Sequence, residues 1–113
     1  MIILSSAVRI FLCTRPTDMR KSFDGLAEHV RAFLGHDPLC GHLFVFRNRS
    51  AERVKILWWD RNGLVLFYKR LERGTFQFPS STDKSMAIDS AQLLRLLEGM
   101  QIVGEKAGPT KKM

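Results

Sequence analysis

Residues 53–70 read RVKILWWDRNGLVLFYKR: two runs of β-branched, aromatic and aliphatic side chains around the polar tetrad Asp60-Arg61-Asn62-Gly63. Such runs flanking an Asn-Gly pair signal a β-hairpin. Two registers compete. With Asn62-Gly63 as a two-residue turn, Arg61 faces Leu64 and Lys55 faces Arg70; with Arg61-Asn62 as a type I turn and Gly63 as a bulge, Asp60 faces Leu64 and Lys55 faces Lys69. In both, Lys55 opposes a cation. Such a pair costs a few tenths of a kcal/mol and suits a surface that an anion visits, unless Glu52 or Glu72 screens it.

Outward from the hairpin, Leu43 to Arg47 is a third strand-like run, so residues 42–78 read as an antiparallel meander. Thr75 to Phe78, stopped by Pro79, adds an edge strand. Upstream, Val8 to Cys13 forms a first strand that ends at Thr14-Arg15-Pro16. From Thr17 onward, Met19, Phe23, Leu26, Ala27, Val30, Phe33 and Leu34 line one face of an amphipathic helix. Thr17 or Asp18 caps its start, Gly25 costs it about 1 kcal/mol, and Gly35 with Pro38 stops it. Downstream, Ser80 to Ser85 is a polar loop. Asp89 or Ser90 then caps a short helix carrying Leu93, Leu94, Leu96 and Leu97 and closed by Gly99.

These elements predict an α+β fold: an antiparallel meander of about four or five strands packed against one long helix, with a short C-terminal helix at an edge or end. With 113 residues there is room for one such domain, residues 1–104, followed by a disordered tail over 105–113. The longest apolar runs fall far short of the roughly 20 residues a bilayer span needs, and no export signal is visible at the N-terminus. A cytoplasmic protein without membrane contact is expected. Cys13 and Cys40 make no disulfide framework and should be free thiols, mostly buried.

The chain carries 18 Lys and Arg against 11 Asp and Glu, a net charge of +7. The excess concentrates between residues 47 and 73, where Arg47, Arg49, Arg53, Lys55, Arg61, Lys69, Arg70 and Arg73 outnumber Glu52, Asp60 and Glu72. A local basic surface points to a polyanionic partner, although Lys and Arg also serve solubility. Strand alternation sends Val54, Ile56 and Trp58 one way and Arg53, Lys55, Leu57 and Trp59 the other. The second face then joins Arg53 and Lys55 to Arg47 and Arg49, with Trp59 at its end. The candidate nucleic-acid-binding set is Arg47, Arg49, Arg53, Lys55, Lys69 and Arg70 on phosphates, with Trp59 and Tyr68 as stacking groups. Burial demand in a small domain favours the core for Trp59, with stacking as the alternative.

Other constellations carry less chemistry. Asp24 and Glu28, one helical turn apart, suit a solvated face more than a metal site, and Asp18 suits a helix cap. His36, Cys40 and His42, with Cys13 elsewhere, lack the usual spacing of zinc ligands. No phosphate loop, dinucleotide fingerprint or nucleophile elbow is present. The expectation is a protein that is not an enzyme and takes no metal or other cofactor.

The strings Thr17-Asp18-Met19-Arg20-Lys21-Ser22-Phe23-Asp24-Gly25-Leu26, Gly41-His42-Leu43-Phe44-Val45-Phe46-Arg47-Asn48-Arg49, Lys55-Ile56-Leu57-Trp58-Trp59-Asp60 and Tyr68-Lys69-Arg70-Leu71-Glu72-Arg73-Gly74 occur here in that order. With Phe78-Pro79 and Leu96 to Gly99, they make residues 5–100 resemble the TnpB accessory proteins, second-open-reading-frame products of bacterial IS66-type insertion sequences. The resemblance implies a small non-catalytic protein encoded beside a DDE-type transposase and serving transposition. It carries over no catalytic or binding residue. The expected partners are DNA, with the element's ends as candidates, and the transposase of the same element. Two mechanisms follow: DNA binding through the basic meander, or an interaction module that docks on the transposase or on itself and touches DNA little. RNA binding, suggested by Phe44 and Phe46 beside arginines, lacks the ribonucleoprotein signature. The oligomeric state is open.

Overall fold

The computed structural model describes residues 7–102. Five strands, β1 (Ile10–Cys13), β2 (Leu43–Arg47), β3 (Arg53–Asp60), β4 (Gly63–Arg70) and β5 (Ser85–Ile88), form one sheet in the order β4-β3-β2-β1-β5. All neighbours are antiparallel except β1 and β2, which run parallel and are joined through helix α1 (Phe23–His29). Helix α2 (Ser90–Leu97) follows β5. The expected tail over 105–113 lies outside the described residues.

Both faces of the sheet are covered, because the strands are apolar on both sides. Cys13, Phe44, Phe46 and Leu57 pack under Leu26, Ala27 and Val30 of the first helix. Ile10, Leu12, Leu43, Val45, Val54 and Ile56 pack on the opposite face with Leu93 and Leu96 of α2. The short helix therefore lies on a face, not at an edge or end as expected. Asp89 caps it: its carboxylate accepts from the Gln92 amide and the Gln92 side chain accepts from the Asp89 amide.

The first helix is shorter than its apolar spacing predicts. It has seven α-helical residues, continuing into five of π-type helix over Val30–Leu34 before Gly35 at φ 73°. It starts at Phe23 and not at Thr17 because the lead-in backbone is engaged elsewhere. The Thr17 amide donates to the Arg47 carbonyl, and the Asp18 side chain accepts from the Arg20 amide. The carbonyls of Met19 and Lys21 accept from the Lys55 ammonium. A carbonyl held by a side chain from another element is a poor first acceptor for a helix. Ser22 occupies the cap position without a side-chain capping bond, so neither Thr17 nor Asp18 caps this helix.

The hairpin takes neither expected register. Its loop is Arg61-Asn62, with Arg61 at φ 58°, and Asp60 pairs with Gly63. This register sets Ile56 opposite Phe67, Leu57 opposite Leu66, Trp58 opposite Val65 and Trp59 opposite Leu64. What separates the registers is the buried Lys55, which the observed one sets against the Tyr68 ring and either alternative sets against Lys69 or Arg70. Lys55 consequently faces Tyr68, and the opposed cations are Arg53 and Arg70.

The expected edge strand Thr75 to Phe78 is not a strand. Its Phe76 amide donates to the Ala51 carbonyl and its ring is buried in the α2-side core. The edge beside β1 is β5 instead, at the end of what reads as a polar loop.

His29 sits at the end of the α-helical segment, stacked on Phe33 at 4.9 Å, with its Nε2 buried and without a hydrogen-bond partner among the described residues. Burial, with Lys21 nearby, lowers its pKa below 6.5. The unfolded chain therefore binds this proton more readily than the folded one. The resulting stability is complete above the unfolded value and is lost as the pH falls through the depressed folded one. Urea midpoints measured across this range should fall on acidification, and His29→Phe should flatten that limb.

Candidate nucleic-acid interface

Because β1 and β2 are parallel, the end of β1, the end of β2, the start of β3, the end of β4 and the start of β5 meet at one end of the sheet. Most of the candidate binding residues are there, but they divide between two faces and between surface and interior. Arg53, Lys55, Tyr68 and Arg70 share the face covered further along by α1, whereas Arg47, paired with Val54, and Lys69 share the opposite one.

Three of the expected phosphate contacts are engaged by the fold. Lys55 is 5% exposed; its Nζ donates to the carbonyls of Met19 and Lys21, both at 2.8 Å, and lies 4.6 Å from the centre of the Tyr68 ring. Its expected role on a phosphate is corrected by this burial. Lys69 Nζ donates to the Leu97 carbonyl at 2.7 Å, fastening the end of α2 to β4. Arg47 donates to the Thr14 carbonyl at 2.9 Å and stands 5.6 Å from the Phe78 ring. Burial pulls its pKa down, and its Nε is buried without a hydrogen-bond partner among the described residues. Trp59 is half-buried at the hairpin end of β3, six residues from Arg53. At about 3.3 Å per residue, roughly 20 Å separates the two, so both cannot serve one nucleotide.

Arg49, Arg53, Tyr68 and Arg70 remain. Arg53 Nη1 donates to the Tyr68 hydroxyl at 2.8 Å; that bond, with Glu52 and Glu72 nearby, raises the pKa of Arg53. Arg70 pairs with Glu72 at 3.0 Å, both well exposed. Together Arg53, Tyr68, Arg70 and Glu72 line a recess of about 350 Å³. Arg49 projects from the β2–β3 turn, which is held by Asn48: its Oδ1 accepts from the Arg53 amide, and its Nδ2 donates to Ser50 and Glu52.

The sequence reading missed the neighbour of this turn. Pro16 to Met19 and Asn48 to Ser50 line a second recess of about 440 Å³. Beside it Arg15 donates to the Thr82 carbonyl, and Arg20 pairs with Asp18 at 2.7 Å, holding that exposed carboxyl at about 2. Only the parallel pairing of β1 and β2 brings these segments together, and no local pattern announces it.

Among the described residues no group of three or more His, Cys, Asp or Glu is placed to hold a metal ion. His36 and His42 pack on Phe11, at 4.5 and 5.8 Å between ring centres. Cys13 is buried, with its thiol pKa raised by that burial, whereas Cys40 is exposed, contrary to expectation. Glu28 pairs with Arg31. No helix among the described residues is long and apolar enough to cross a membrane.

No solved structure matches the chain. Among curated sequences, uncharacterized protein y4hO of Sinorhizobium fredii (strain NBRC 101917 / NGR234) is 47% identical over 93 residues, covering 82% of this chain and 81% of that protein. Uncharacterized protein y4jC of the same strain is 35% identical over 108 residues, covering 96% and 92%. The family model described as IS66 Orf2 like protein matches residues 8–107, which includes every strand and helix described above. The chain belongs to the IS66 Orf2-like family, the TnpB accessory proteins associated with transposition of IS66-type insertion sequences.

Proposed function

We propose that the protein serves transposition without catalysis, by binding DNA at the sheet end that carries Arg49, Arg53 and Arg70. The observation behind this reading is the direct opposition of Arg53 and Arg70 across β3 and β4, where Glu72 pairs with Arg70 and Arg53 has Glu52 and Glu72 nearby without an ion pair to either among the described residues. Opposed like charges cost a sheet stability, and a phosphate between them removes that cost. The partners in this reading are the element's DNA, its ends included, and the transposase encoded beside it.

Three phosphate contacts give a log–log salt slope of about −3 on duplex DNA, shallower than the −4 to −5 implied by the larger sequence-based set. Fluorescence anisotropy on a labelled terminal-repeat duplex and a scrambled one, each over a salt series, measures it. The double variant Arg53→Glu/Arg70→Glu should bind more than about tenfold more weakly and reduce the slope by about 2. Absence of salt-dependent binding, or indifference to the double reversal, refutes the reading. Preference for the terminal repeat marks end recognition, and equal binding marks a nonspecific clamp.

A second reading rests on the exposure of Leu94, at 66%, on α2, with Met100 exposed just beyond the helix. An exposed leucine on a small helix and an exposed methionine just beyond its end suit docking on the transposase or on a second copy. Light scattering coupled to size exclusion, with and without the transposase, distinguishes this from DNA binding alone.

A further inference from the structure

We infer that the recess between Arg53, Tyr68 and Arg70 seats one unpaired nucleotide, so that the protein prefers single-stranded nucleic acid to duplex; the inference rests on the nucleic-acid reading above and specifies its ligand. The central observation is the way Tyr68 is held. It is 48% exposed, yet its ring is fixed at both a face and its tip. The buried Lys55 ammonium lies 4.6 Å from the ring centre on one side, and Arg53 donates to its hydroxyl at 2.8 Å. The Lys55 ammonium is itself immobilised by two backbone carbonyls. An exposed aromatic ring ordinarily gives up rotamer freedom when a partner stacks on it; one already pinned gives up little.

The groups around the ring complete a nucleotide site. Arg53 and Arg70 flank Tyr68 on the same face, since Arg53 and Arg70 are cross-strand partners and Lys55 and Tyr68 are the next same-face pair. Aromatic stacking on one base with arginines on the adjoining phosphates is the physical recipe for binding a single strand without sequence readout. Base-paired duplex hides its base faces in the stack, so it offers this site phosphates only. The site therefore gains from a single strand a stacking contact that duplex cannot give. Unpaired DNA and unpaired RNA share that chemistry.

The test is anisotropy at fixed salt with fluorescein-labelled oligothymidylate, oligouridylate and a blunt duplex of the same length. Wild-type protein should bind a single strand several-fold more tightly than duplex. Tyr68→Ala should remove that preference, losing about 5- to 100-fold on the single strand and markedly less on duplex, where it frees Arg53 but removes no stacking contact. Tyr68→Phe, which keeps the ring and loses the Arg53 bond, should fall between wild type and Tyr68→Ala on the single strand. A second measurement avoids any question of how the variants fold. Wild-type protein irradiated with a 5-iodouracil-substituted oligonucleotide should yield a crosslinked peptide containing Tyr68. Equal affinity for single strand and duplex, unaltered binding by folded Tyr68→Ala, or crosslinking only elsewhere overturns the nucleotide seat. Salt-dependent duplex binding that persists in those cases leaves the DNA reading standing. Binding of oligouridylate alone supports the seat and overturns DNA as the partner, and no binding to any of the three overturns both.

Discussion

Lys55→Met is expected to destabilise the protein by about 3 kcal/mol, seen as a lower urea midpoint with an unchanged slope. The ammonium makes two charge-assisted hydrogen bonds, to the carbonyls of Met19 and Lys21, in a place almost closed to water. Methionine preserves most of the apolar stem but leaves both carbonyls without this donor. Each loses a bond to a charged group, worth about 1.5–3 kcal/mol, while a partial return of water recovers some of the loss. The lead-in to α1 should loosen, and amide exchange there should rise before exchange in the sheet does. At temperatures where the variant is folded, its salt slope on duplex should match wild type, because Lys55 is not one of the phosphate contacts. A slope shallower by about 1 with undiminished stability would return Lys55 to the binding surface.

Phe76→Ala is expected to cost about 3–5 kcal/mol, the range for removing a fully buried phenyl ring. Phe76 is 2% exposed among Val54, Ile56, Leu93 and Leu96, although it belongs to no strand or helix. Its amide donates to the Ala51 carbonyl, and the Leu71 amide donates to the Glu52 carbonyl. Between β4 and β5, Leu71, Phe76 and Phe78 thus pack on the α2-side core while most of the residues around them are exposed. Its neighbour Gln77 is exposed, so Gln77→Ala should change stability by less than about 0.5 kcal/mol. Equal effects of the two substitutions in urea titration would show that the segment does not pack as described.

Where local pattern and tertiary packing agree, the fold is legible in the residues. The runs Leu43 to Arg47, Arg53 to Trp59 and Leu64 to Arg70 are strands within one residue of their expected bounds, and α2 starts from Asp89 as its capping residues indicate. The departures come from contacts distant in sequence. The first helix loses its expected start to Lys55, more than thirty residues away. The hairpin register sets the buried Lys55 against Tyr68 rather than following the Asn-Gly signal. β5 is four residues long and exists through its pairing with β1, a partner no local window contains.

The candidate site shows the same division. Alternation along β4 is enough to place Tyr68 and Arg70 on one face and Lys69 on the other. It does not reveal that the lead-in to α1 covers Lys55, nor that Arg47 turns toward Thr14 and Phe78. Charge density along the chain marks one end of the sheet as basic but does not distinguish the cations that face solvent there from Lys55, Lys69 and Arg47, which bond to backbone carbonyls.

The pairing of β1 with β5 has a consequence for the order in which the molecule can assemble. The hairpin β3–β4 closes over a loop of two residues and can form as soon as it leaves the ribosome. β1 is made first, but its last neighbour, Ser85–Ile88, is made more than seventy residues later. Until then β1 is an edge, apolar and with backbone groups unpaired on one side. A chain released before Ser85 would carry an open sheet edge, and its hazard would be association through that edge rather than simple loss of stability.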